Sequence, residues 1–159
     1  MITLSNNTVS NVTITSSGRT NAVRLAGLLG YAETNATTGK IIIKGNTVTT
    51  ANITANGNTA GATYLGGLVA YAKGKGSPND RTIIQGNTVT SPTVKMNGIV
   101  NNGLYMGGFL RYADTNTNLF NNKVATPAIS ITNEINAETY VGGAVGRQAG
   151  YTTIDGMTV

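Results

Sequence analysis

The chain has no cysteine and no histidine among its 159 residues. Without cysteine there is no disulfide framework and no thiolate chemistry. Without either residue the usual zinc, copper and haem ligands are missing, and no cofactor or metal is expected. Acids are few as well: Glu33, Asp80, Asp114, Glu134, Glu138 and Asp155 make six, against 11 lysines and arginines. Charged residues amount to only 11% of the chain, too few for a solvated helical surface, and the helix formers Glu, Lys, Gln and Met are scarce. No run approaches 18 consecutive apolar residues, so no membrane-spanning helix and no membrane insertion are expected. Met1-Ile2-Thr3-Leu4-Ser5 lacks the charged start and apolar stretch of a signal peptide.

These shortages bear on catalysis. Parallel β-helices that cleave acidic polysaccharides need clustered carboxylates for calcium or for acid–base work. Here only Glu134 and Glu138 are close in sequence, in a loop-like stretch, while Glu33 and Asp114 follow a tyrosine where another part of the chain has Lys73. A solvated corner accounts for that alternation, and the chain is not expected to be an enzyme. The net charge of +5 reflects the shortage of acids rather than a basic cluster. Lys73-Gly74-Lys75 is the densest basic spot and reads as a solvated loop, so no nucleic-acid partner is expected.

What the chain does have is a repeat, rich in Gly, Asn and Thr, residues that suit turns and strands. Asn7-Thr8-Val9, Asn46-Thr47-Val48, Asn87-Thr88-Val89 and Asn122-Lys123-Val124 each open a segment. Each then reaches a small-residue pair: Ala26-Gly27, Gly66-Gly67, Gly107-Gly108 or Gly142-Gly143. The Asn-to-second-Gly intervals are 20, 21, 21 and 21 residues, whereas the Gly-to-next-Asn intervals are 19, 20 and 14. One interval is fixed and the other tolerates deletion, as in a solenoid with its variable loops on one side. The repeats run over about 7–45, 46–86, 87–121 and 122–156. Gly156-Met157-Thr158-Val159 looks like the opening of a fifth, so the chain is expected to be a segment of a longer repeat protein.

Alignment on the glycines gives apolar columns Leu25, Leu65, Met106, Val141 and Leu29, Val69, Leu110, Val145. Four residues separate them, an even number, which in one extended strand puts both on the core face. Between them Gly27, Gly67, Gly108 and Gly143 admit an apolar group from the opposite wall, or a bend. No helix start or phosphate-binding lysine follows these glycines, which argues against a phosphate cradle. A third apolar patch (Ile41-Ile42-Ile43, Ile83-Ile84, Leu119-Phe120, Ile154) closes each unit. This predicts about three strands per repeat, forming either one wide coil or two narrow ones. The recurring Asn7, Asn46, Asn87 and Asn122 are expected to hydrogen-bond from copy to copy as a ladder.

Two further columns are aromatic or basic: Tyr64, Tyr105 and Tyr140 with Arg24, and Tyr31, Tyr71 and Tyr112 with Arg147. They suit a stacked ladder with ring and cation–π contacts, and they are also the candidate binding surface. Thr13-x-Thr15, Thr47-x-Thr49 and Thr88-x-Thr90 suggest an ice-binding rank, but the offsets differ between repeats, and no common register is expected. Asn-x-Thr sequons at Asn6, Asn11, Asn35 and Asn52 matter only if the chain passes through a eukaryotic secretory pathway.

Centred on Leu65-Gly66-Gly67-Leu68-Val69, the repeat resembles the GLUG motif of secreted and surface proteins of bacteria, including IgA-specific peptidases and adhesin-like proteins. Ala26, Phe109 and Ala144 depart from the pattern. The resemblance implies an extracellular or cell-surface β-solenoid and brings no catalytic residues with it. The expected fold is therefore an all-β, right-handed parallel β-solenoid of four repeats of about 35–41 residues. The expected role is a non-catalytic structural or adhesive segment meeting glycans or extracellular-matrix proteins, with open coil ends that allow end-to-end self-association. The alternatives are a carbohydrate-binding or accessory segment of a larger secreted enzyme, and an ice-binding face.

Overall fold

The computed structural model describes residues 1–18, 21–34, 39–74 and 81–159. Lys75, Asp80 and the Asn35 sequon lie outside the described residues. The described chain is all strand, wound as a β-solenoid of about four turns with parallel pairing throughout. No helix among the described residues is long and apolar enough to cross a membrane.

One repeat makes one wide coil, and the coil has five strands rather than three. The second coil shows the unit: Ile41–Lys44, Thr47–Thr49, Asn52–Ala55, Thr63–Gly66 and Val69–Lys73. Each strand pairs with its counterparts above and below, so the molecule has five walls. Register is strict: Ile2 pairs with Ile41, Ile41 with Thr82 and Thr82 with Thr117. Two of the three expected strands are each cut by a corner. The Asn-Thr-Val strand ends at a left-handed residue, with φ of +53° at both Asn11 and Thr50, +50° at Ser91 and +49° at Thr126. Asparagine tolerates that region; the other three sit there because the corner demands it. The second cut falls at the Gly pair, where the chain turns from Thr63–Gly66 into Val69–Lys73.

Thr158 bridges to Lys123, and Thr153–Asp155 continues the first wall, so the last residues begin a further coil on top of the fourth.

The core is a stack of columns. Leu65, Met106, Val69 and Leu110 are fully buried, together with Ile43, Ile84, Leu119, Val48, Val89, Val124, Ile53 and Val94 from the other walls. In the outer coils the same columns open to solvent, and Val141 is 48% exposed. The two columns that flank the glycines do face inward, but across a bend between two walls rather than along one strand. Leu65→Ala removes a buried side chain from a packed middle coil. A loss of about 2–4 kcal/mol is expected in urea unfolding, and an unchanged midpoint would contradict the core placement.

The glycine column serves both expected purposes. A Cβ on Gly27 would lie 2.8 Å from Val48 Cγ1 of the opposite wall, and one on Gly108 would lie 2.6 Å from Pro127 Cβ. On Gly67 it would collide with the carbonyl oxygen of Gly108 in the next coil. Coils therefore stack at this corner only as bare backbone.

Candidate binding surface

The recurring asparagines form the expected ladder, and they form it in the interior. Asn46, Asn87 and Asn122 are buried. The backbone N–H and Nδ2 of Asn46 both donate to Asn87 Oδ1, each at 2.9 Å. Asn87 does the same to Asn122 Oδ1 at 3.0 Å, and Asn7 to Asn46 Oδ1 at 3.0 and 2.9 Å. Each amide also donates to a main-chain carbonyl: Asn46 to Leu4, Asn87 to Ile43 and Asn122 to Ile84. A buried amide with several partners holds successive coils in register at a cost of no unsatisfied groups.

The tyrosine columns lie on two neighbouring walls that turn into each other at the glycine corner. Arg24, Tyr64, Tyr105 and Tyr140 are mutually in register, as are Tyr31, Tyr71, Tyr112 and Arg147. All eight point outward, and the bend brings them into a single cluster. Ring centroids lie 5.1 Å apart for Tyr31–Tyr71 and for Tyr105–Tyr140, and 5.7 Å apart for Tyr64–Tyr105, all stacked. Tyr105 stacks across the corner on Tyr112 at 6.0 Å, and Tyr64 meets Tyr71 edge-on at 5.6 Å. Arg24 covers Tyr31 and Tyr64 at 4.9 and 5.0 Å. Arg147 covers Tyr140 at 4.7 Å and donates from Nη1 to the Tyr105 hydroxyl at 3.2 Å. Each ring pair is worth about 0.5–1.5 kcal/mol beyond its burial, so the cluster is a second clamp between coils. Ring faces are largely occupied by other rings and guanidinium groups. Outward the cluster presents ring edges, hydroxyls and the exposed Arg24.

Carboxylates tie the cluster's rim. Tyr71 donates to Asp114 at 2.8 Å, Tyr140 to Glu138 at 3.2 Å, and Tyr31 to Glu33. Glu33, Lys73 and Asp114 stack in register, and Lys73 pairs with Asp114 at 3.6 Å, so their alternation in sequence is a charge-matched column. Burial raises the Asp114 pKa, but hydrogen bonds from the Thr115 backbone and the Tyr71 hydroxyl and the Lys73 charge outweigh it and hold the carboxyl below its usual value. Among the described residues, no three acids gather where they could hold a metal ion.

Arg111 belongs to this cluster and went unsuspected in the sequence. Its guanidinium carbon lies 3.3 Å from the Tyr64 centroid and 3.6 Å from the Tyr105 centroid, so it is held between the two stacked rings. It is fully buried, and among the described residues none of its three nitrogens has a hydrogen-bond partner. Burial pushes its pKa down to about 9. The available signal was its column: Gly30, Ala70 and Gly146 are small where the third coil has arginine.

The cluster makes stability sensitive to alkali. Burial pushes Tyr31 up to about 12, helped by Glu33, and raises Tyr71 and Tyr112 as well. In the unfolded chain tyrosine loses its proton near pH 10, so above that pH the unfolded state binds fewer protons and stability falls. Arg111 acts the opposite way, since folding lowers its pKa. Three tyrosines outweigh one arginine. The urea midpoint is expected to drop between about pH 10 and 12, and more steeply in Arg111→Met; a midpoint that rises across that range would contradict this balance.

The threonine rank needs a correction. Thr47-x-Thr49 and Thr88-x-Thr90 do share a register, alongside Thr8-x-Ser10, while Thr13-x-Thr15 lies in the next wall against Asn52 and Thr54. The dissimilar offsets belonged to Thr13 alone. The rank spans three coils and stops at Lys123 and Ala125.

Fold and surface together define a β-solenoid repeat protein whose coils are clamped by an internal asparagine ladder and an external tyrosine–arginine cluster. No family model matches the chain, and neither does any curated protein or solved structure.

Proposed function

We propose that the chain is a non-catalytic structural and adhesive segment of a bacterial surface or secreted protein, of the kind the GLUG resemblance implies. One observation carries the reading. The residues that recur most regularly bond to their own copies in the next coil, asparagine to asparagine and tyrosine to tyrosine, which builds a stalk. Glu33, Asp114 and Glu138 are dispersed along that stalk and engaged by tyrosine hydroxyls or lysine rather than gathered for chemistry. The outward edge of the Tyr–Arg cluster is then the surface for glycans or extracellular-matrix proteins, and the open strand edges of the end coils favour end-to-end association.

A glycan-array and matrix-protein screen tests this, with Tyr71→Ala/Tyr112→Ala beside the wild type and folding checked by circular dichroism. Capture of a glycan or a matrix protein by the wild type supports adhesion, and loss of capture in the folded variant assigns it to the cluster. A folded wild type that captures nothing in either panel would overturn the adhesive half and leave a spacer.

A further inference from the structure

A second set of asparagines lies outside the ladder. Asn58, Thr59, Ile99, Asn101 and Asn136 line an open cleft of about 440 Å³ next to the tyrosine walls. Asn101 is shared with a smaller hollow of about 250 Å³ that continues to Tyr105 and Glu138. Bridges from Thr59 to Val100 and from Val100 to Ile135 align three coils along the cleft. Asn101 and Asn136, one residue beyond those bridges, are therefore stacked neighbours about 4.8 Å apart. Gly103 lines the smaller hollow with a φ of +74°, and a Cβ there would lie 2.8 Å from the Tyr105 hydroxyl.

These amides contrast with those of the ladder. Asn46, Asn87 and Asn122 are buried, and their amides bond on both sides; Asn58, Asn101 and Asn136 are exposed. Asn58 Oδ1 accepts from the Ile99 N–H at 3.1 Å, and its side chain makes no other bond among the described residues. Asn101 makes only a 3.4 Å bond from Nδ2 to Thr59 O, and the Asn136 side chain makes none among the described residues. An amide of this kind donates and accepts at once, which matches a pair of neighbouring hydroxyls. Ile99, 36% exposed, adds an apolar patch at the same place. No lysine or arginine lines either hollow, and the one carboxylate, Glu138, accepts from the Tyr140 hydroxyl.

We propose that this cleft binds a neutral, hydroxyl-rich polysaccharide chain laid across the coils. The inference rests on the adhesive reading and adds a second site to it, with its own ligand class, beside the tyrosine cluster. Convergent polar groups around an apolar patch are the usual composition of a ligand site. Stacked sugar recognition at the tyrosine cluster is disfavoured because the ring faces there already meet other rings and guanidinium groups.

Affinity electrophoresis tests it, with a soluble β-glucan, a xylan, a galactomannan and an α-glucan as neutral probes and polygalacturonate as the acidic one. At least one neutral polymer is expected to retard the wild type. Asn101→Ala/Asn136→Ala is expected to weaken that by about 10-fold, the loss of two hydrogen bonds near 0.7 kcal/mol each. Both residues are exposed, so the variant keeps its urea midpoint. Lys95→Ala stays within about 2-fold, since that exposed side chain lines neither hollow. Neutral binding that ignores the asparagine pair, or a preference for polygalacturonate, overturns the cleft while adhesion through another surface stands. Capture of matrix protein with no polymer bound does the same. No binding of any kind overturns both.

Discussion

Asn87→Ala is expected to cost about 3–5 kcal/mol, a large part of the 5–15 kcal/mol that keeps a typical domain folded. Asn87 is fully buried and sits at the middle of the ladder. Without its side chain, the N–H and Nδ2 of Asn46 lose their common acceptor, while Ile43 O and Asn122 Oδ1 lose a donor. Each buried polar group left alone costs about 1–3 kcal/mol, and partial access of water at the new gap brings the total below the plain sum. Asn87→Asp is expected to be no better, because it keeps the acceptor, removes both donors and places a charge in the core. Urea unfolding of purified protein measures both. A cost below 1 kcal/mol for Asn87→Ala would mean that the ladder accompanies the fold without holding it.

Gly67→Ala is expected to be at least as damaging, about 4 kcal/mol or more, at the extreme end for a single substitution. The added methyl would overlap the Gly108 carbonyl oxygen, lie 2.9 Å from its carbon and meet Val89 Cγ1 at 3.1 Å. Backbone blocks it on the coil side and a core valine on the other, so no flexible group can yield. Gly86, at another corner of the coil, is the control. Nothing lies within 4 Å of a Cβ there, but its φ is +61°, so Gly86→Ala carries only the left-handed penalty of about 1–2 kcal/mol. Matching costs for the two variants would show that stacked backbone does not set the coil spacing at the glycine corner.

Much of the architecture was legible because a solenoid writes its period directly into the sequence. The Asn-Thr-Val openings, the apolar columns and the two tyrosine columns all stand in the register their spacing implied. Strand number was not legible. Thr50, Ser91 and Thr126 occupy left-handed corners that their residue types do not advertise, so a strand read as continuous is broken in two. The threonine rank was misjudged through Thr13, whose Thr-x-Thr motif belongs to the wall beyond that corner. Arg111 was hidden by its own neighbours: one arginine in a column of Gly and Ala looks like drift until the adjoining wall supplies Tyr64 and Tyr105. Asparagine was ambiguous for a related reason. The type recurs throughout the chain, and only the winding separates buried ladder positions from those that line the cleft.

That separation is the most direct test of the account. Side-chain amide hydrogen exchange of selectively ¹⁵N-asparagine-labelled protein reads every asparagine in one experiment. Strong protection is expected at Asn46, Asn87 and Asn122, whose NH₂ groups are buried and bonded, and immediate exchange at Asn58, Asn101 and Asn136. Exchange at Asn87 as fast as at Asn101 would contradict the ladder, and with it the claim that coils are held together by stacking like on like.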